Sequence, residues 1–192
     1  MLLAEGAIDE DMPARLEEAL RGFHGTEIWL RSPGGEARAG NLAGRMIRAR
    51  GLSTHIPAGW ACSSACTFMF MGGVTRSVDP RGLLIVSMFT FTSDPAVRRQ
   101  IEQGVAETSG LITDVARASS RLAVEDNDYL MRMGIARRFL TDIVYRQHAV
   151  PTARDPSTRR CLTPEEARRD NLVNAGRPAR LIQPARPAQA RP

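Results

Sequence analysis

The sequence has no lysine: each of its 26 basic side chains is an arginine. Codon bias produces an all-arginine set as readily as bidentate phosphate binding does, so the bias marks no function by itself. The net charge of +5 is equally uninformative, because Arg177, Arg180, Arg186 and Arg191 carry four of those charges in the acid-free stretch 176–192. The body is near neutral, and the arginine-rich end has no interleaved aromatics on which bases stack, so nucleic acid is not an expected partner. No apolar run reaches the ~18 residues that cross a bilayer, and no transmembrane segment is expected. The opening Met1-Leu2-Leu3-Ala4-Glu5 has neither the basic nor the long apolar region of an export signal. The chain as it stands therefore reads as cytoplasmic, and as a cell-envelope or periplasmic protein if an export signal lies outside it.

Cysteine is also scarce. Cys62, Cys66 and Cys161 are too few to staple a small secreted fold. Cys62 and Cys66 stand four apart, a poor match to zinc-ribbon pairs, and a structural zinc needs four ligands. No metal and no other cofactor is expected. Two readings of the thiols stay open: a disulfide, between Cys62 and Cys66 or from one of them to Cys161, and three small buried thiols packed near the sheet.

What is present is enough for one domain. The chain has 192 residues, 43% of them hydrophobic, and the apolar ones spread through the first 150. Residues 1–175 read as that domain. Residues 176–192, made largely of Pro, Ala, Arg and Gln, read as a disordered tail. Leu2-Leu3-Ala4 predicts a strand, and Asp9, Asp11 and Pro13 predict the start of a helix carrying Leu16, Ala19 and Leu20. Glu27–Leu30 predicts a second strand, and Ala39–Arg50 a helix with Leu42, Met46 and Ile47 on one face, closed by Gly51. A third strand is expected at Ser53–Ile56, then a small-residue turn at Ala61–Cys66 entering an apolar helix that Gly72-Gly73 ends. The run Leu83–Val86 suits a strand buried on both faces. Ser93-Asp94-Pro95 predicts the start of a long polar helix, with further helices at 127–133 and 136–147. Arg160–Leu162 predicts a short strand, followed by a helix from Pro164 capped by Thr163. Strands alternating with helices argue for an α/β domain with a mainly parallel sheet.

Two turns carry the chemistry. In Ser32-Pro33-Gly34-Gly35, adjacent glycines let a backbone amide approach a substrate unscreened. In Ser63-Ser64-Ala65, a serine at a helix start meets unpaired N–H groups and the positive end of the helix dipole, which stabilise a developing oxyanion. The plainer alternative, in which the serines only cap a helix and the glycines only make a turn, stays open here.

These turns, with Arg50-Gly51-Leu52, Cys62-Ser63-Ser64-Ala65-Cys66, Gly72-Gly73 with Arg76, Leu162-Thr163-Pro164-Glu165-Glu166-Ala167 and Asn171-Leu172-Val173, resemble the Clp-type serine peptidases of the crotonase superfamily. The likeness is strongest to Clp-like proteins of the bacterial periplasm, and it spans residues 1–175. Gly35 and Ser64 lie 29 residues apart, similar to the family's spacing of oxyanion glycine and nucleophile. The resemblance implies a crotonase-like (Clp protease) fold, a mainly parallel sheet of ββα repeats flanked by helices. It also implies a hydrolase acting on peptide bonds: Ser64 as nucleophile, Gly34, Gly35 and Ala65 at the oxyanion and substrate, a peptide or unfolded segment as partner, and homo-oligomerisation through the polar helix from Asp94. Ser63 is the weaker nucleophile, because the family places a small residue directly after its serine.

One departure is decisive. The family's histidine base falls on Ser87, whose hydroxyl cannot take a proton at neutral pH as imidazole does. The acidic third position falls near Arg159, with Asp155 the nearest carboxylate. The resemblance therefore implies a weakly active or inactive homologue. The alternatives are an active serine peptidase with a non-standard base, His55 or Asp155 before His24 or His148, and a non-catalytic peptide-binding or scaffold module. A nucleophilic Cys66 is disfavoured, because the helix points it away from the oxyanion turn.

Overall fold

A computed structural model describes residues 1–87, 108–146 and 159–175. Its strands are β1 (Leu2–Glu5), β2 (Glu27–Arg31), β3 (Ser53–Ile56), β4 (Ala61–Ser63), β5 (Arg76–Val78), β6 (Leu83–Ser87) and β7 (Arg159–Cys161). Its helices are α1 (Met12–Arg21), α2 (Ala37–Ala49), α3 (Ala65–Gly72), α4 (Thr108–Met133), α5 (Arg138–Arg146) and α6 (Pro164–Arg169). One sheet is parallel throughout, in the order β1-β2-β3-β5. The other runs β4-β6-β7, with β4 parallel and β7 antiparallel to β6. A bridge between Ser32 and Cys62 joins the sheets, Ser32 N–H donating to Ala61 O at 2.9 Å and Ser63 N–H to Ser32 O at 3.0 Å. That junction brings the two chemistry-bearing turns side by side.

Helix α2 starts two residues before the expected Ala39, because the Glu36 carboxylate caps it, accepting from the Arg38 N–H at 3.0 Å and from the Ala39 N–H. Its buried face also differs from expectation. Ala39, Gly40, Ala43, Gly44 and Ile47 point inward, whereas Leu42 is 51% exposed. The cause is the closeness of α3: a Cβ on Gly40 would lie 2.4 Å from Ala65 O, and one on Gly44 2.5 Å from Phe68 O. Backbones this near exclude a leucine and select small residues.

Residues 127–133 are not a separate helix but the end of α4, which Gly134 closes at φ 69° with Ile135 N–H returning to Leu130 O at 2.9 Å. The start of the polar helix at Ser93-Asp94-Pro95 lies outside the described residues. Strand β6 is not buried on both faces: Leu84 and Val86 are buried, but Leu83 is 43% exposed. Strand β5 was not expected, since three residues led by an arginine carry no alternating signal. Thr163 caps α6 as expected, in a reciprocal capping box with Glu166. No helix among the described residues is long and apolar enough to cross a membrane.

Candidate functional site

The site begins where β4 stops. Ser64 takes φ 53° and ψ −120°, a backbone conformation that residues with a Cβ rarely adopt, and α3 starts at the next residue. Three hydrogen bonds hold this elbow. Ser64 N–H donates to Ile85 O on β6 at 2.9 Å, Ser63 N–H to Ser32 O at 3.0 Å, and Thr67 N–H to Ser64 O at 2.8 Å. The Thr67 hydroxyl adds a contact to Ile85 O at 3.3 Å. The Ser64 side chain makes no capping bond and is half-buried, so its hydroxyl is not consumed by the helix. Ser63 differs: it is 3% exposed, and its hydroxyl is buried without a partner among the described residues. Of the two serines, only Ser64 is placed to meet a ligand.

The glycine turn lies directly over this elbow. The Ser32 hydroxyl accepts from the Gly34 N–H at 3.0 Å and fixes the turn. Gly34 sits at φ 95°, and a Cβ there would lie 2.6 Å from Ser63 O, 2.7 Å from the Ser64 Cβ and 3.3 Å from Ala65 N. Only glycine permits that approach. Gly35 is clamped on its other side by Ile8, which donates to Gly34 O at 3.0 Å and accepts from Glu36 N–H at 2.8 Å. This bridge uses the groups flanking Gly35, which is itself exposed. Gly34 thus lies against Ser64 and Ala65, whereas the near neighbour of Gly35 is Ile8; the Ala65 N–H opens α3 at the positive end of its dipole.

A disulfide joins Cys62 to Cys66, with Cα atoms 5.3 Å apart, and so spans Ser63, Ser64 and Ala65. This decides between the two open readings of the thiols; Cys161 is free and exposed. Cys66 is thereby also removed as a nucleophile. The bridge is one of the pairings left open in sequence, with a cysteine on each side of the double serine.

The remaining candidates are distributed. Ser87 ends β6, half-buried, two residues past Ile85, which pairs with Ser63. It opens onto a groove of about 760 Å³, lined also by Leu122, Asp126, Leu140 and Tyr145. Asp155 and His148 lie outside the described residues. His24 is exposed on the loop before β2. His55 is buried in β3: its Nδ1 lies 2.8 Å from Ser77 Oγ, its Nε2 3.6 Å from the Asp79 carboxylate, and its ring packs on Trp29. Its nitrogens are committed within its own sheet rather than to Ser64.

Asp126 carried no signal in sequence. Burial pushes its carboxyl up to about 6, against a hydrogen bond from Asn41 that lowers it and with Glu125 adding to the rise. Asp126 forms a wall of the 760 Å³ groove and of a second, of about 400 Å³, between α2 and α4 that Asn41 and Arg45 also line.

No family model matches the sequence, and no curated protein matches it. Solved structures do match by shape. A mutant of the 1510-N membrane-bound stomatin-specific protease superposes with a TM-score of 0.54 at 13% identity, over 90% of this chain and 75% of that one. A ClpP1 mutant from Listeria monocytogenes gives 0.54 at 14%, over 90% and 87%. A second 1510-N mutant, in complex with a substrate peptide, gives 0.50 at 16%, over 90% and 71%. At such identities shape carries the fold and not the chemistry. The chain has the mixed α/β fold of the Clp-type peptidases.

Proposed function

We propose that this chain is a Clp-like serine peptidase homologue that binds an extended peptide over Ser64, with turnover low or absent because Ser87 stands at the position of the base. The observation that carries the reading is the approach of Gly34 to Ser64 and Ala65, which packs the glycine turn against a half-buried serine at the opening of α3. Such a constellation binds a carbonyl oxygen as charge develops on it. Without a base the hydroxyl keeps its proton, and a Ser-His system loses on the order of 10⁴ or more in rate. A relative in fold is known with a substrate peptide bound, which supports a peptide as the ligand class. The same reading takes the protein as a homo-oligomer through the helix beginning at Asp94, and residues 176–192 as a disordered tail.

A fluorophosphonate probe on the purified chain tests this. The expected result is slow or absent labelling, together with binding of an unstructured peptide that a Gly34→Val change abolishes. Prompt labelling lost in Ser64→Ala would instead establish an active peptidase with another base. Peptide binding indifferent to both changes would leave a partner-binding module.

A further inference from the structure

We propose that the Cys62–Cys66 disulfide is the positioning element of the Ser64 turn, so that the site is assembled only in the oxidised chain. The consequence for activity rests on the reading of Ser64 given above; the positioning itself does not. The bridge runs from the middle of β4 to the second residue of α3, and the ring it closes contains the positive-φ residue Ser64. Both cysteines are 0% exposed and belong to the hydrophobic core. A ring so short removes little freedom from the unfolded chain, so its effect falls on the local backbone.

In the dithiol form, nothing covalent keeps Ser64 out of the helical region. Thr67 N–H in the first turn of α3 already donates to Ser64 O, and a Ser64 with negative φ would extend α3 backward by one residue. The hydroxyl would then swing away from the Gly34 turn. Formation of the bridge is a thiol–disulfide exchange: Cys62 and Cys66 each give up a proton, one S–S bond forms between them, and two electrons reduce the disulfide of an oxidising dithiol partner to two thiols. Cys161 cannot substitute. It pairs with Ile85, which pairs with Ser63, so it shares a sheet face with Ser63, whereas Cys62 pairs with Leu84 and faces the other side. The partner is therefore external, a disulfide oxidant of the kind found in oxidising compartments. Burial of both sulfurs makes the formed bridge slow to reduce.

The full chain, oxidised and reduced with dithiothreitol, is compared with Cys62→Ala/Cys66→Ala and with Cys161→Ala by amide hydrogen exchange, read by mass spectrometry. The expected result is exchange at least tenfold faster across 61–68 in the reduced chain and the double variant. Elsewhere it should stay within twofold, and Cys161→Ala should match the oxidised protein. If the double variant does not fold, the reduced wild-type chain carries the same test. Unchanged exchange across 61–68, acceleration spread over the whole domain, or free thiols at Cys62 and Cys66 in air-oxidised protein would each overturn the proposal. Fluorophosphonate labelling, followed over hours on the same samples, separates the two readings. A loss of tenfold or more on reduction supports positioning and chemistry together. No labelling in either form, with redox-dependent exchange, supports the positioning role and removes the catalytic one.

Discussion

Ser64 occupies a backbone conformation that costs about 1–3 kcal/mol, in a turn that β6, the Ser32 carbonyl and α3 bind and the Cys62–Cys66 bridge spans. Strain of this kind, kept on a serine, concentrates interest on its hydroxyl. The proposed function leaves that hydroxyl without a base. Installing one by Ser87→His is expected to raise fluorophosphonate labelling of Ser64 by about 10²-fold or more, since a positioned imidazole contributes that order in proton transfer; labelling unchanged from the parent counts against the placement of Ser87. Asp126 gives a prediction in pH. Its carboxyl titrates near 6 in the folded chain against 3.8 ordinarily, so between those values the folded state holds more protons than the unfolded one. Stability therefore falls as pH rises through that window. Asp126→Asn is expected to flatten that slope and to stabilise the protein at pH 7 by about 1–2 kcal/mol, with allowance for its partial exposure. Urea midpoints at pH 4 and pH 7 measure both effects. His55 shows how little a residue type tells alone: its position on β3 was readable, but its commitment to Ser77, 22 residues away in sequence, and to Asp79 depends on the pairing of β3 with β5.

Helices α2 and α3 determine how the site is held from behind. They cross on Gly40, Gly44 and Gly72, with the Tyr129 hydroxyl of α4 donating to Phe68 O at the same crossing. Gly44→Ala would set a Cβ 2.0 Å from that hydroxyl and 2.5 Å from Phe68 O. The expected cost is about 1–3 kcal/mol, seen as a lower denaturation midpoint. Gly22→Ala is the control, at φ −103° with nothing within 4 Å, and should be neutral or slightly stabilising. Most of the order of strands and helices was legible in periodicity and punctuation, because each signal is local; the three-residue strands β4 and β5 were not. The buried face of α2 was not, because periodicity selects large apolar residues such as Leu42, and a close crossing selects the small ones beside them.

Across the whole molecule the unifying residue is Arg76. It is 1% exposed, and no carboxylate answers it among the described contacts. Its guanidinium donates to Gly73 O at 2.7 Å, Leu172 O at 2.8 Å and Asn171 O at 2.8 Å, with longer contacts to Met71 O and Met133 O. Arg48 reaches Met71, Gly73 and Met133 carbonyls as well, so two cations bind the ends of α3 and α4 and the segment after α6. Burial, with Arg48 beside it, lowers the Arg76 guanidinium to about 10. Helix C-termini and free carbonyls carry partial negative charge, which is what such a cation needs in place of an acid. Lysine has a compact head and no planar fork, so Arg76→Lys leaves several buried carbonyls unpaired. A loss of about 3 kcal/mol or more in unfolding free energy is expected from chemical denaturation; a loss below about 1 kcal/mol would show that water replaces the fork.

Sequence alone determined the local half of this protein: most of the strands and helices, the start of α6 at Pro164 capped by Thr163, the two small-residue turns, and serine rather than histidine at position 87. These follow from propensity, punctuation and residue identity, which act over a few positions. Tertiary structure decided the rest: that Gly34 lies against Ser64, that Cys62 pairs with Cys66 rather than Cys161, that Leu42 faces out and that Arg76 is buried among carbonyls. Each of those depends on a distance between segments far apart in the chain, and such distances are set by the packing of sheets and helices together.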